Sequence, residues 1–200
     1  MELDIESEND IQMRFTLTGA SVGFANMLRR YAMGSVPIFA IDSITVYENT
    51  SSLFDEYIAN RIGLVPIKMA SGYKPGDEVI FSLDAHGPGT VYSGELKSVA
   101  DKIRIANERI PLLKLLEEQN LRLEAKAKIG YGRKHAKWQT GIGAYEIGKN
   151  GDFKFTVETF QQLTPRDMAI KAAEVVEGRC EEMSEELESA LKSAKKKKEQ

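Results

Sequence analysis

The sequence predicts an α+β fold on three observations. Several separate stretches alternate apolar with polar residues, the two-residue period of strands with one wet face. Other stretches space their apolar residues by three and four, the period of amphipathic helices. Asn150-Gly151 separates two apolar runs, as the turn of a β-hairpin does.

Taken in order, Ile11, Met13, Phe15 and Leu17 alternate with Gln12, Arg14 and Thr16, which predicts a strand ended by Gly19. Ser21 is placed to N-cap a helix from about Val22 to Met33, and Gly34 to stop it. Phe24, Leu28 and Tyr31 form the apolar stripe of that helix. Asn26, Arg29 and Arg30 group on another side, where composition alone reads them as a solvated face. A strand at Ile44–Val46 and a short helix at Leu53–Ile62 follow. Leu64-Val65-Pro66-Ile67 is extended, because the residue before a proline avoids the helical region. Val79, Phe81 and Leu83 alternate, as does the long run Leu121 to Ile129, whose wet face carries Arg122, Glu124, Lys126 and Lys128. Tyr145 and Ile147 precede the Asn150-Gly151 turn, read as supplying both positive-φ positions, and Phe153, Phe155 and Val157 follow it.

The last element starts with Thr164 as N-cap, Pro165 at the first helical position and Asp167 in the first turn. Val176, Cys180, Met183, Leu187, Ala190 and Ala194 then recur in steps of four and three, a heptad-like seam. Residues 165–194 would extend ~45 Å, against a radius of gyration of ~16 Å for a compact chain of this length. Such a helix overhangs its own domain and needs a second chain to bury its seam, unless it frays beyond Met183 as a solvated end. Lys195 to Gln200 read as a disordered basic tail.

Composition excludes several classes. The net charge of −3 makes the whole molecule no magnet for nucleic acid. No apolar run approaches the ~20 residues that span a bilayer, and the acidic start Met1-Glu2-Leu3-Asp4 is no signal segment, so a cytoplasmic location is expected. Cys180 is the only cysteine and His86 and His135 the only histidines, which argues against a disulfide, a thiolate cluster or a His-rich metal site. Phosphate-loop, dinucleotide, HExxH and GxSxG motifs are absent. Asp55 and Glu56 open a helix, where carboxylates complement its dipole. One segment, Gly130 to Trp138, is basic, glycine-rich and holds the single tryptophan. It could contact nucleic acid, anchor a protein interface, or be a surface loop whose Trp covers its own core; composition does not decide.

Phe24-Ala25-Asn26-Met27-Leu28-Arg29-Arg30 resembles the signature helix of the alpha-like subunits of cellular RNA polymerases. Ile38 to Val46 and Arg61 to Ile67 resemble that family's next two blocks. Phe81-Ser82-Leu83-Asp84-Ala85 and Gly132-Arg133-Lys134-His135-Ala136-Lys137-Trp138 are similar to its archaeal and eukaryotic branch, nearest the archaeal D-type family. The resemblance covers nearly the whole chain, in the family's order.

The resemblance implies a discontinuous dimerisation domain, residues 1–38 plus 149–200, with a mixed α/β insert domain at 39–148. It implies no catalytic residues but membership of a nucleotidyltransferase complex that transcribes DNA. The expected first partner is a smaller L-like subunit, met by Phe24, Leu28, Tyr31, Val176, Cys180, Met183 and Leu187. The pair would form the platform on which the large catalytic subunits assemble, the second-largest docking on Asn26, Arg29 and Arg30. Arg133, Lys134, His135, Lys137 and Trp138 are a possible second contact. Some family members carry iron–sulfur clusters or zinc on several cysteines; the corresponding stretch, roughly 70–79, has none, so no cofactor is expected, and the polymerase magnesium belongs to the large subunits. Nucleic acid is expected to be bound peripherally or not at all, and no membrane. The alternative is a free-standing nucleic-acid-binding adaptor using Lys126–Trp138.

Overall fold

The alternating stretches fold as strands and the spaced ones as helices, giving the α+β class. The computed structural model describes residues 1–70 and 72–198. In chain order the elements are β1 (Glu2–Glu8), β2 (Gln12–Thr18), α1 (Val22–Gly34), β3 (Ile38–Asn49), α2 (Asp55–Gly63), β4 (Ile67–Lys68), β5 (Glu78–His86), β6 (Gly89–Tyr92), β7 (Lys97–Ser98), β8 (Arg104–Ile105), β9 (Pro111–Leu115), β10 (Asn120–Gly130), β11 (Gly141–Ile147), β12 (Phe153–Thr159) and α3 (Pro165–Lys198).

The first sheet joins both ends of the chain in the antiparallel order β1-β2-β12-β11. Met13, Phe15 and Leu17 of β2 and Phe153, Phe155 and Val157 of β12 share one face, with the Phe15 and Phe155 rings stacked at 4.8 Å. Helices α1 and α3 cover this face and bury Ala25, Ala32, Met168 and Ala172 in it. The other face is wet: the Gln12 amide donates to Glu158 and the Thr16 hydroxyl to Glu6.

The second sheet, β3-β10-β5-β7, lies within the middle of the chain. Leu121, Leu123, Ala125 and Ala127 of β10 face its core with Val79, Phe81 and Leu83 of β5, and α2 packs on them through Ile58 and Ile62. The short ladders β4-β8 and β6-β9 close the remaining sides. One strand serves both cores. Ile38, Phe39, Ala40 and Ile41 are all at most 2% exposed. Because side chains alternate across a strand, Ile38 and Ala40 enter the first core and Phe39 and Ile41 the second.

The structure differs from the sequence reading in five places. Strand β11 lies inside the expected 39–148 insert in sequence but belongs to the first sheet, because it pairs with β12 along its whole length. Glu2–Glu8 is not merely an acidic start, since it forms the edge strand β1. Strand β3 begins at Ile38 rather than near Ile44, because a run buried on both faces does not alternate. At the last hairpin only Gly151 has a positive φ, +80°, and Asn150 does not. Gly151 N–H donates to the Gly148 carbonyl, so Lys149 and Asn150 form an ordinary turn and the glycine alone takes the left-handed position of a longer loop. Finally, α3 continues to Lys198, so the basic stretch from Lys195 is helical that far; Glu199 and Gln200 lie outside the described residues. None of the helices among the described residues is long and apolar enough to cross a membrane.

Candidate functional site

Helix α1 starts where the Ser21 hydroxyl accepts the N–H of Phe24 at 3.2 Å. It ends against a loop that satisfies its last carbonyls, which an isolated helix leaves unpaired. The Thr140 hydroxyl donates to the Ala32 carbonyl at 2.5 Å, Thr140 N–H to Met33, and Arg133 N–H to Gly34. Gly132 permits this approach, since a β-carbon there would lie 2.8 Å from the Met33 carbonyl oxygen. Phe24, Leu28 and Tyr31 are half-buried against the first core, and the Arg133 guanidinium stacks over the Tyr31 ring at 5.3 Å.

Asn26 and Arg29 act together: the Asn26 side-chain oxygen accepts from Arg29 Nε at 3.3 Å and Nη2 at 3.0 Å. The Arg29 stem lies over Gly143 of β11, and Arg29 is half-buried while Arg30 is exposed. The two arginines therefore differ: one braces helix to sheet, the other is free for solvent or a partner.

Thr164 and Asp167 open α3 as the sequence predicts, the Thr164 hydroxyl accepting Asp167 N–H at 3.1 Å. Arg166 pairs with Glu8 of β1, whose carboxyl this hydrogen bond holds below its ordinary range. Past Ala172 the helix leaves the core. Val176 is half-buried and Cys180 exposed, while Met183 and Leu187 are 63% and 54% exposed. The stripe continues to Leu191, also 63% exposed. The sequence reading missed Leu191 because a three-residue step from Leu187 lands on Ala190, whereas a four-residue step reaches it. Side chains from Ala194 onward lie outside the described residues. At 34 residues, the helix is ~51 Å long.

A second apolar surface was also legible but overlooked. Leu3 pairs with Leu17 and Ile5 with Phe15 across β1 and β2. Directly opposed residues share a sheet face, so the core face extends onto β1, where Leu3 and Ile5 stay 57% and 41% exposed. The alternation of Leu3 and Ile5 with Glu2, Asp4 and Glu6 is the signal that reveals them.

The Gly130–Trp138 segment is a brace. Trp138 is 4% exposed, its indole N–H donates to the Lys128 carbonyl at 3.1 Å, and a β-carbon on Gly130 would lie 2.4 Å from its ring. That burial removes Trp138 from the expected second contact and from any stacking on bases. Lys137 lies 4.3 Å from the Trp138 ring centroid and pairs with Asp42 at 2.7 Å, holding the Asp42 carboxyl below its ordinary range, with lesser help from Lys128 and Lys134. Lys126 and Lys128 pair with Glu78. These cations are neutralised at short range, which is the reverse of a phosphate-binding strip. Arg133, Lys134 and His135 remain exposed, the first two beside Val175, Gly178 and Arg179 of α3.

Asp55 accepts from the Asn49 amide at 2.7 Å in the first turn of α2 and is accounted for as a structural group. His86 bonds Asn120 at 2.8 Å and lies 3.4 Å from Asp84, all near the surface and without a nucleophile. Among the described residues no three His, Cys, Asp or Glu side chains are grouped to hold a metal.

Comparison with known proteins matches residues 32–144 to the family model of the RNA polymerase Rpb3/RpoA insert domain. The chain is 40% identical over 161 residues to DNA-directed RNA polymerase subunit Rpo3 of Natronomonas pharaonis, covering 76% of this chain and 65% of that one. It is 42% identical over 153 residues to the subunit Rpo3 of Pyrococcus furiosus, covering 73% and 59%. To that of Methanocaldococcus jannaschii it is 36% identical over 169 residues, covering 84% and 87%. The match thus spans less than two thirds of the first two relatives and most of the third.

Proposed function

This chain belongs to the RNA polymerase Rpb3/RpoA family, and from that premise we propose that it is a non-catalytic assembly subunit of a DNA-directed RNA polymerase, working in the cytoplasm. Its first partner is an L-like subunit, which covers the open half of the first sheet. The large catalytic subunits then assemble on the pair. One observation carries this reading: the Met183–Leu187–Leu191 stripe stands exposed on a helix that outruns its own core. Exposed contiguous apolar surface of this kind marks a binding site or an aggregation hazard.

Expression alone should therefore give self-association, and co-expression with an L-like subunit a soluble one-to-one heterodimer by light scattering. A stable monomer that forms no complex would overturn the reading. Reconstitution separates the later step. Arg29→Ala with Arg30→Ala should leave the heterodimer intact and weaken docking of the second-largest subunit by roughly a hundredfold. Because Arg29 also braces β11, Arg30→Ala alone should show part of that loss with helix packing untouched. Failure already at the heterodimer would assign the arginines to the first interface. The donor set offers a single thiol, so elemental analysis should find neither stoichiometric iron nor zinc.

A further inference from the structure

Three hollows run in line along the junction of the two cores. Leu64 and Lys137 line both the first and the second; Gln161 and Gln162 line both the second and the third. They form one groove, bordered midway by Leu64 and Phe160, which are 54% and 41% exposed. Residues 64, 137 and 160 come from distant parts of the chain, so the groove exists only when both cores are folded against each other.

Gln162 lies at the join of the second and third hollows. It is 5% exposed, and its side-chain oxygen is buried with no hydrogen-bond partner among the described residues. Its amide nitrogen makes one long bond, 3.3 Å to the Gln139 carbonyl. Buried acceptors are rarely left unpaired. Gln162 lines both hollows, and the terminal torsion of a glutamine is soft, so rotating the amide, at the loss of the long bond to Gln139, turns the oxygen toward the groove. A water could pair with it there but would leave Leu64 and Phe160 bare; a main-chain N–H of a bound segment meets both needs. At the far end Asp10 and Asp167 are exposed, without ion pairs among the described residues, and outnumber Lys68. That end favours a cation.

We propose that this groove docks a short linear segment of a partner chain, carrying an apolar side chain for the space between Leu64 and Phe160 and a lysine or arginine for the Asp10–Asp167 end. The inference rests on the assembly reading for the source of that partner, and it places a second interface on the side of the molecule where the two cores meet.

The test uses polymerase assembled with the full chain, carrying p-benzoylphenylalanine in place of Leu64 or Phe160, irradiated and analysed by mass spectrometry. Both positions should report one segment of one partner chain, with a basic residue close to an apolar one. A control at Val99, 76% exposed and outside the groove, should not report it. Leu64→Asp with Phe160→Asp should weaken retention of that chain about tenfold or more while leaving the melting temperature of the free chain unchanged, as surface substitutions do. Asp10→Lys with Asp167→Lys should weaken retention as well. Assembly without a protein crosslink from either position, or crosslinks to nucleic acid or to many scattered segments, overturns the groove proposal and leaves the assembly reading standing. Failure of the unmodified chain to enter any polymerase overturns both.

Discussion

Phe81 and Phe155 are both buried aromatics in four-stranded sheets, but the sheets around them end differently. Around Phe81 the apolar face is closed by α2 and by two short ladders, all within one continuous stretch of chain. An exposed apolar residue there, Tyr57 of α2, lies next to the buried Ile58 in sequence but off the four-residue step that joins Ile58 to Ile62. Around Phe155 the face runs on to Leu3 and Ile5 without a cover, and α3 carries its stripe out beyond the core. The difference teaches how to tell a finished core from half of one. In a finished core, exposed apolar side chains are isolated from the buried set; in half a core they continue it in register.

Substitutions can break or sharpen this contrast. The largest effect belongs inside the finished core: Phe81→Ala should cost about 3–5 kcal/mol, equally in the free and the paired chain, read by chemical denaturation. If pairing rescued most of that loss, the middle unit would not be self-contained. Leu187→Asp should do the opposite. It should leave the free chain's stability unchanged and weaken pairing by about 3 kcal/mol, because a lone charge would be desolvated in the contact; titration calorimetry with the L-like subunit measures it. Gly130→Ala is smaller. Its β-carbon would meet the Trp138 ring at 2.4 Å, and overpacking of this kind costs about 1–3 kcal/mol, seen as a lower Tm with changed Trp fluorescence. Smallest is the Asp42–Lys137 pair, which ties the brace to β3. The Asp42 carboxyl titrates lower folded than unfolded. Its contribution is therefore complete at neutral pH and is lost as pH falls through the folded value, below the usual carboxylate range. Asp42→Asn should cost roughly 1 kcal/mol or less at neutral pH, and the gap to the unsubstituted chain should close in acid.

Much of this was legible in the sequence. Leu123 alternates cleanly with its charged neighbours Arg122 and Glu124, and Ser21 and Thr164 cap the helices they were placed to cap. Ile38 to Ile41 was not legible as a strand, since two-sided burial erases the alternation that marks one. The role of Trp138 was left open because it depends on the bare backbone of Gly130, a fit that no spacing rule encodes. Arg29 and Arg30 are adjacent and alike in sequence, yet only the fold separates the one leaning on Gly143 from the one left free. The groove was invisible for the same reason, as its borders meet only in three dimensions.

The first sheet also sets a timetable. Gln12 of β2 and Glu158 of β12 are hydrogen-bonded neighbours 146 residues apart. A ribosome adding about 5–20 residues per second delivers the second strand on the order of ten seconds after the first. Meanwhile the whole middle unit, β3 to β10, has emerged and is free to close. Phe15 must wait, bare or loosely covered, until Phe155 arrives to stack on it, and α3 follows later still. The exposed stripe of α3, the surface proposed to recruit another chain, is thus among the last parts of the molecule to exist, so a nascent chain presents it only once the unit between its ends has had time to fold.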